Sequence, residues 1–122
     1  MNAEPWSWSA TELALRIKKR DISSRDAVVS CLSRIDQVNP QLNAIVELQA
    51  ESALAAADNA DRALRSGEPL GLLHGVPITT KINVDQAGSA TSIGVKACCP
   101  KVCRDARARH RMVHDCALET AC

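Results

Sequence analysis

The chain has 122 residues, enough for one domain or part of one but too few for two ordinary domains. Its formal net charge is +1, so electrostatics give no reason to expect a nucleic acid or an anionic membrane as partner. Phe and Tyr are absent, and the two aromatic residues, Trp6 and Trp8, lie near the start, which disfavours binding by stacking on bases or sugars.

The first predicted helix begins after Ser9, which forms a capping box with Glu12. Basic residues at 18–20 close it, as suits a helix C-terminus. Its apolar face consists of Ala10, Leu13, Ala14 and Ile17. A second helix is expected to begin after Ser24 and to end at Asn39-Pro40. Its apolar stripe consists of Ala27, Val28, Cys31, Leu32, Ile35 and Val38.

A short apolar run at 42–46 has enough β-branched residues to predict a strand. The Ala-rich segment 49–66 predicts a third helix, with Leu54 and Leu64 on its apolar face and Gly67 as its stop.

After a turn at Gly75-Val76-Pro77, residues 78–84 predict another strand and residues 85–94 a loop. Helices alternating with short strands indicate an α/β architecture. Two or three strands do not make a stable sheet alone, so this sheet should require further strands. An open sheet edge of that kind is also a site for association with another chain.

The predicted strand at 78–84 carries one candidate catalytic side chain, Lys81, followed by a loop rich in small hydroxyl residues. A lysine that loses its water there could act as a base instead of a surface cation. From the residues alone, a solvated lysine at a strand end is the default interpretation.

A family resemblance changes that balance. The string Gly75-Val76-Pro77, followed by Lys81, Asn83, Asp85 and Gly88, resembles the lysine block of the amidase signature family. The similarity continues through Thr91-Ser92 and Gly94, and it extends backwards to the second helix.

The resemblance implies an α/β fold in which this chain forms the N-terminal part: helices plus a few strands of a mixed sheet. In the family, a serine attacks an amide carbonyl, and a second serine on a cis peptide bond relays its proton to a lysine. Lys81 matches that lysine. The implied substrate is a small-molecule amide, and neither a metal nor an organic cofactor is implied.

The resemblance also shows what this sequence does not contain. Both family serines belong to a Gly/Ser-rich stretch well after the lysine, and no such stretch occurs between residues 94 and 122. Ser89 and Ser92 match the hydroxyl run of the lysine block instead. We therefore expect no amidase turnover from the 122-residue chain alone. Ile82 stands where the family usually has an acid, and His74 is interpreted as a structural loop residue.

Composition changes near residue 97, so we divide the chain into residues 1–97, the N-terminal part of an amidase domain, and a tail at 98–122. The tail is rich in Cys, Arg and His, and we expect it to be disordered or translated in a shifted frame. Its candidate metal ligands are Cys99, Cys103, His110 and His114. Their central gap is only about half that of a Cys2His2 finger, which disfavours zinc.

Two other interpretations of the whole chain remain open. The chain is either a small interaction module with a metal- or redox-sensitive Cys/His tail, or a fragment that gains its missing strands and serines from a second polypeptide. The start contains Glu4 and Pro5, unlike a secretory signal, and no apolar run approaches a membrane span. We therefore predict a cytoplasmic protein with reduced cysteines.

Overall fold

The computed structural model describes residues 4–81, residue 84 and the backbone of residues 120–121. The helices of the described part are a 3₁₀ turn at Pro5–Ser7, α1 at Ala10–Lys19, α2 at Ser24–Leu42 and α3 at Ala50–Ser66. Strand β1, Glu47–Leu48, pairs antiparallel with β2, Thr120–Ala121, with Glu47 opposite Ala121. The loop predicted at 85–94 and most of the tail at 98–122 lie outside the described residues.

Helix α1 begins where the capping box predicts. Ser9 is the N-cap, and its Oγ accepts a hydrogen bond from the backbone N–H of Glu12 at 3.2 Å. The Glu12 carboxylate pairs with Arg16 one turn later, at 2.8 Å. The helix ends at Arg20, which adopts the left-handed conformation at φ 65°. The Arg20 guanidinium also donates to the Leu64 carbonyl at 3.1 Å, which ties the end of α1 to α3.

Helix α2 extends beyond both of its predicted limits. It begins at Ser24 with Ser23 as N-cap, and it continues through Pro40 to Leu42. The end is set by Asn43, which takes the left-handed conformation and donates its N–H to the Asn39 carbonyl at 2.7 Å. Pro40 lies in the last turn, where its missing N–H removes one helical hydrogen bond close to the end of the helix.

The strand predicted at 42–46 is wrong. Leu42 is helical, and the side chain of Asn39 forms hydrogen bonds with the backbone groups that follow the helix. Its Oδ1 accepts the N–H groups of Ala44 and Ile45 at 3.0 and 2.9 Å, and its Nδ2 donates to the Ile45 carbonyl at 2.9 Å. These groups are bonded to a side chain and not to a neighbouring strand, so β-structure begins only at Glu47.

Helix α3 confirms the third predicted helix. Its C-cap, Gly67, has φ 77° and donates its N–H to the Ala63 carbonyl, as the predicted stop requires. The alanines of α3 let α2 approach closely. The first core consists of Val28, Ala53 and Ala57, with Leu32 and Leu54 packed against it.

A second core joins α1, α2 and the segment that follows α3. It consists of Leu13, Ile17, Ala27 and Val76, with Trp8, Ala14, Ile22 and Leu64 packed against it. Val76 is 3% exposed although it lies in a segment without regular secondary structure. Its burial therefore fixes that segment against two helices.

The strand predicted at 78–84 does not form in its described part. Thr80 makes an isolated bridge, and residues 78, 79 and 81 have no regular structure. The N–H of Val84 donates to the Lys81 carbonyl at 2.8 Å, a bond between residues three apart and not a ladder bond. A strand needs a paired neighbour over several residues, and apart from the Thr80 bridge the described β-structure is one two-residue ladder.

Within the described residues, no helix is long and apolar enough to cross a membrane. The cytoplasmic location stays a prediction.

Candidate functional site

Lys81, the candidate catalytic base, lies at the end of the segment that begins at Gly75. Its side chain is exposed, and its carbonyl accepts the N–H of Val84. Ser89 and Ser92, in the loop predicted at 85–94, lie outside the described residues, as does Ile82. The structure thus locates Lys81, and its catalytic role stays a prediction.

Gly75 begins the segment, and only glycine fits there. Its φ is 75°, a left-handed conformation that L side chains rarely adopt. A Cβ at this position would lie 2.9 Å from Ser24 Oγ, 3.0 Å from Ser24 Cβ and 3.4 Å from Ile17 Cγ2. The backbone of Gly75 therefore lies directly against the start of α2 and the end of α1.

Ser24 connects Gly75 to α3. Its side chain is fully buried, and its Oγ donates to the Gly75 carbonyl at 2.7 Å. Its backbone N–H donates to Asp61 Oδ1 at 2.8 Å, while Asp61 Oδ2 accepts the N–H of Arg25 at 3.2 Å. Asp61, from the middle of α3, thus caps the first turn of α2. We call Asp61, Ser24 and Gly75 the polar relay.

The remaining donor of this turn is capped locally. Ser23 Oγ accepts the N–H of Asp26 at 2.9 Å and donates to the Asp26 carboxylate at 2.6 Å. Side chains therefore satisfy the first three N–H groups of α2, which have no partner inside the helix. A fully capped helix start gives Gly75 a rigid surface to bind.

His74 also ties the turn to α3. Its Nε2 lies 2.9 Å from the Ala60 carbonyl, and since a carbonyl can only accept, Nε2 carries the hydrogen. The ring is half-buried and engaged with α3. This contact agrees with the interpretation of His74 as a structural residue.

The sequence interpretation missed two members of the polar relay, Ser24 and Asp61. A signal for Asp61 was present, because it lies four residues after the buried Ala57 and three before Leu64, on the apolar face of α3. A carboxylate at such a position needs hydrogen-bond donors. The signal for Ser24 was weaker, since either serine of the Ser23-Ser24 pair could have been the N-cap.

Two clefts flank the segment, and the residues lining them do not include Lys81. The larger, about 540 Å³, lies between α1 and residues 70–74, where Leu72 is 97% exposed. The smaller, about 260 Å³, lies beside residues 77–79 and is lined also by Cys31 and Arg34. Burial raises the pKa of the Cys31 thiol, so at neutral pH it stays protonated and weakly nucleophilic.

Metal chemistry has no visible ligand set in the part of the chain that the structure describes. No group of three or more His, Cys, Asp or Glu side chains there could hold a metal ion. The four candidate ligands of the tail lie outside the described residues.

The chain is similar to known amidases. The amidase family model matches residues 26–113, which is more than half of the chain. The indoleacetamide hydrolase of Bradyrhizobium diazoefficiens is 47% identical over 92 residues, covering 75% of this chain and 18% of that protein. The acylamidase of Rhodococcus erythropolis is 38% identical over 88 residues, covering 72% of this chain and 18% of that protein.

Solved structures agree with these relatives. A bacterial aryl acylamidase described as an amidase signature enzyme superimposes with a TM-score of 0.78 at 29% identity, covering 95% of this chain and 24% of that one. The chain spans about a fifth of the length of the curated relatives it matches. The chain therefore belongs to the amidase family, and its fold is an incomplete part of the α/β fold of the amidase signature enzymes.

Proposed function

We propose that this chain contributes the lysine base to an amidase domain that hydrolyses a C–N bond. The observation that carries the proposal is the 47% identity to an indoleacetamide hydrolase over a stretch of 92 residues. A second support is local: His74 and the polar relay anchor the segment that leads to Lys81, as a base with a fixed position requires.

In the proposed mechanism, the neutral Lys81 amine accepts the proton of a serine nucleophile through a second serine. As the serine oxygen bonds to the amide carbonyl carbon, the ammonium returns that proton to the leaving nitrogen and the C–N bond breaks. Water then releases the acyl group from the serine. The 122 residues supply only the base, so both serines must come from the rest of the domain.

The exposure of Lys81 is consistent with catalytic groups that come partly from this chain and partly from the rest of the domain. As a base, the amine must be held beside the second serine and away from bulk water. The Lys81 side chain is exposed in the structure and lines neither cleft, so further parts of the domain would have to supply those contacts. Lys81 should therefore become a base only when the domain is complete.

Small amides are the proposed substrates. The names of the two relatives reported above refer to indoleacetamide and to acyl amides, and we take indoleacetamide as the first compound to test. We expect neither a nucleic acid nor a membrane as partner. Within the described residues, β1 and β2 pair only with each other, so strands of the complementary part would add at the edges of this ladder.

The test is complementation. The 122-residue chain is mixed with the C-terminal four-fifths of the Bradyrhizobium hydrolase, and ammonia release from indoleacetamide is measured. We expect no turnover from either piece alone, turnover from the mixture, and a loss of about 10²–10⁴-fold with Lys81→Ala, which is what a positioned general base contributes to the rate.

Lys19→Ala is the matched control, because it removes another exposed lysine, on α1, that lines neither cleft. It should leave the turnover of the mixture unchanged. Turnover by the chain alone, or a mixture insensitive to Lys81→Ala, would exclude the proposed role. The interaction-module alternative finds no support among the relatives described above.

A further inference from the structure

We infer that Ser24 and Asp61 are positioning residues for Lys81. Through the Gly75 carbonyl, they fix the segment that carries the lysine against helices α2 and α3. This inference rests on the proposed role of Lys81 and deepens it. Neither residue touches a reacting atom, so both act through the backbone.

The first step is the burial of the relay. Ser24 is fully buried, and its hydroxyl has one short bond, to the Gly75 carbonyl at 2.7 Å. A hydroxyl away from water keeps its partner, because breaking that bond would leave both groups without a hydrogen bond. The position of Gly75 is therefore set by the position of Ser24.

The second step is the anchoring of Ser24 itself. Asp61 accepts the N–H groups of Ser24 and Arg25, one on each carboxylate oxygen, and so fixes the first turn of α2 against the middle of α3. Hydrogen bonds to an ionised carboxylate are stronger than those between neutral groups. The position of Gly75 is thus fixed relative to α2 and α3, which pack together through the first core.

The third step runs from Gly75 to Lys81. Val76 is buried in the second core, and Pro77 has a fixed φ, so the first two residues after Gly75 have little freedom. Only three residues then separate Pro77 from Lys81, and Thr80 among them forms a bridge. The lysine therefore lies within a short reach of a doubly anchored point.

A nearby contact shows what the relay is not. Asp58, also on α3, pairs with Arg25 of α2 at 2.6 Å, and both side chains are 48% exposed. This ion pair joins the same two helices but makes no bond to Gly75. Asp58→Ala is therefore a matched control for Asp61→Ala.

The test measures backbone order in the 122-residue chain, without substrate. Amide ¹⁵N order parameters and hydrogen exchange are recorded for the wild type, Ser24→Ala, Asp61→Ala and Asp58→Ala. In the Ser24 and Asp61 variants, we expect the Lys81 order parameter to fall from about 0.85 to below about 0.6 and Val76 exchange to quicken roughly tenfold. The order parameters of Leu13 and Ile17 in α1, which report fast local motion and not global unfolding, should keep their wild-type values.

Asp58→Ala should change none of these values, and Asp61→Asn, which keeps one acceptor oxygen, should give an intermediate loss. Two results would overturn the inference. In the first, Val76 exchanges faster while Lys81 keeps its wild-type order parameter, which would mean that the relay stabilises only the core and does not position Lys81. In the second, all amides loosen together, which would mean general destabilisation. Since no activity is measured, failure of this test is distinct from failure of the complementation assay.

Discussion

Two carboxylates of α3 reach the first turn of α2, and they do so in opposite settings. Asp58 meets the Arg25 guanidinium at the surface, where water competes for both charges. Asp61 meets the backbone of Ser24 and Arg25 in a partly buried place beside a fully buried hydroxyl. Two aspartates that lie three positions apart on one helix thus make very different contacts.

The difference teaches that the partner and the burial decide what a carboxylate contributes. The Asp58 pair is limited by solvent screening and by the entropy of two mobile side chains. The Asp61 contact satisfies backbone donors that have no other partner inside the helix. It also transmits the position of α3, through Ser24, to a segment outside the helices.

The largest expected effect breaks the relay at its far end. Gly75→Ala places a methyl group 2.9 Å from Ser24 Oγ and forces alanine into φ 75°, so we expect a loss of about 3 kcal/mol in unfolding free energy. Gly67→Ala is the matched control: φ is 77°, but nothing lies within 4 Å of the new Cβ. It should cost about 1 kcal/mol, from backbone conformation alone.

Urea titration followed by circular dichroism measures both losses. Equal costs at positions 67 and 75 would mean that the close approach to Ser24 adds nothing to the conformational term.

The next effect tests the two carboxylates directly. Asp61→Ala leaves two helix N–H groups without their acceptor, and we expect it to cost about 2 kcal/mol. Asp58→Ala removes an exposed ion pair and should cost about 0.5 kcal/mol. The same titrations give both values, and high salt should reduce only the Asp58 contribution. A reversed order of the two costs would contradict the distinction.

The smallest effect concerns a group whose charged form burial disfavours. Burial raises the folded pKa of Cys31 above its ordinary value of 9.0, so between the unfolded and folded pKa the native state binds more protons. This contribution is complete below pH 9 and falls as pH rises through the folded pKa. We expect Cys31→Ala to be less sensitive than the wild type to a change from pH 8 to pH 10.

Parallel urea titrations at the two pH values check this, since the other titrating groups are common to both proteins. An identical pH dependence in the two proteins would mean that the Cys31 thiol is not desolvated.

Local signals predicted the helices well. Ser9 with Glu12, and Gly67 after an Ala-rich run, act within a few residues of where they appear, and the structure confirms α1 and α3 at those points. The end of α2 was harder to predict. The helix continues past the break expected at Pro40, and the Asn39 side chain bonds to the backbone groups where a strand was predicted.

Long-range contacts were beyond the sequence. The bond from Ser24 to Gly75 joins residues 51 positions apart, and that from Ser24 to Asp61 joins residues 37 apart. No hydrophobic period or motif spacing in the sequence predicts such pairs. Lys81 was identified by family resemblance alone, because its exposed side chain has no local feature that separates it from other lysines.

The two tryptophans give the chain an optical reporter that needs no label. Trp6 lies under the Arg34 guanidinium of α2 at 4.5 Å, and Trp8 lies under that of Arg16 of α1 at 4.2 Å. Since Tyr and Phe are absent, all ultraviolet fluorescence of the protein comes from these two rings. Their emission therefore reports how the N-terminal residues dock on the first two helices, and comparing it with a helix signal would reveal whether α3 unfolds in the same step.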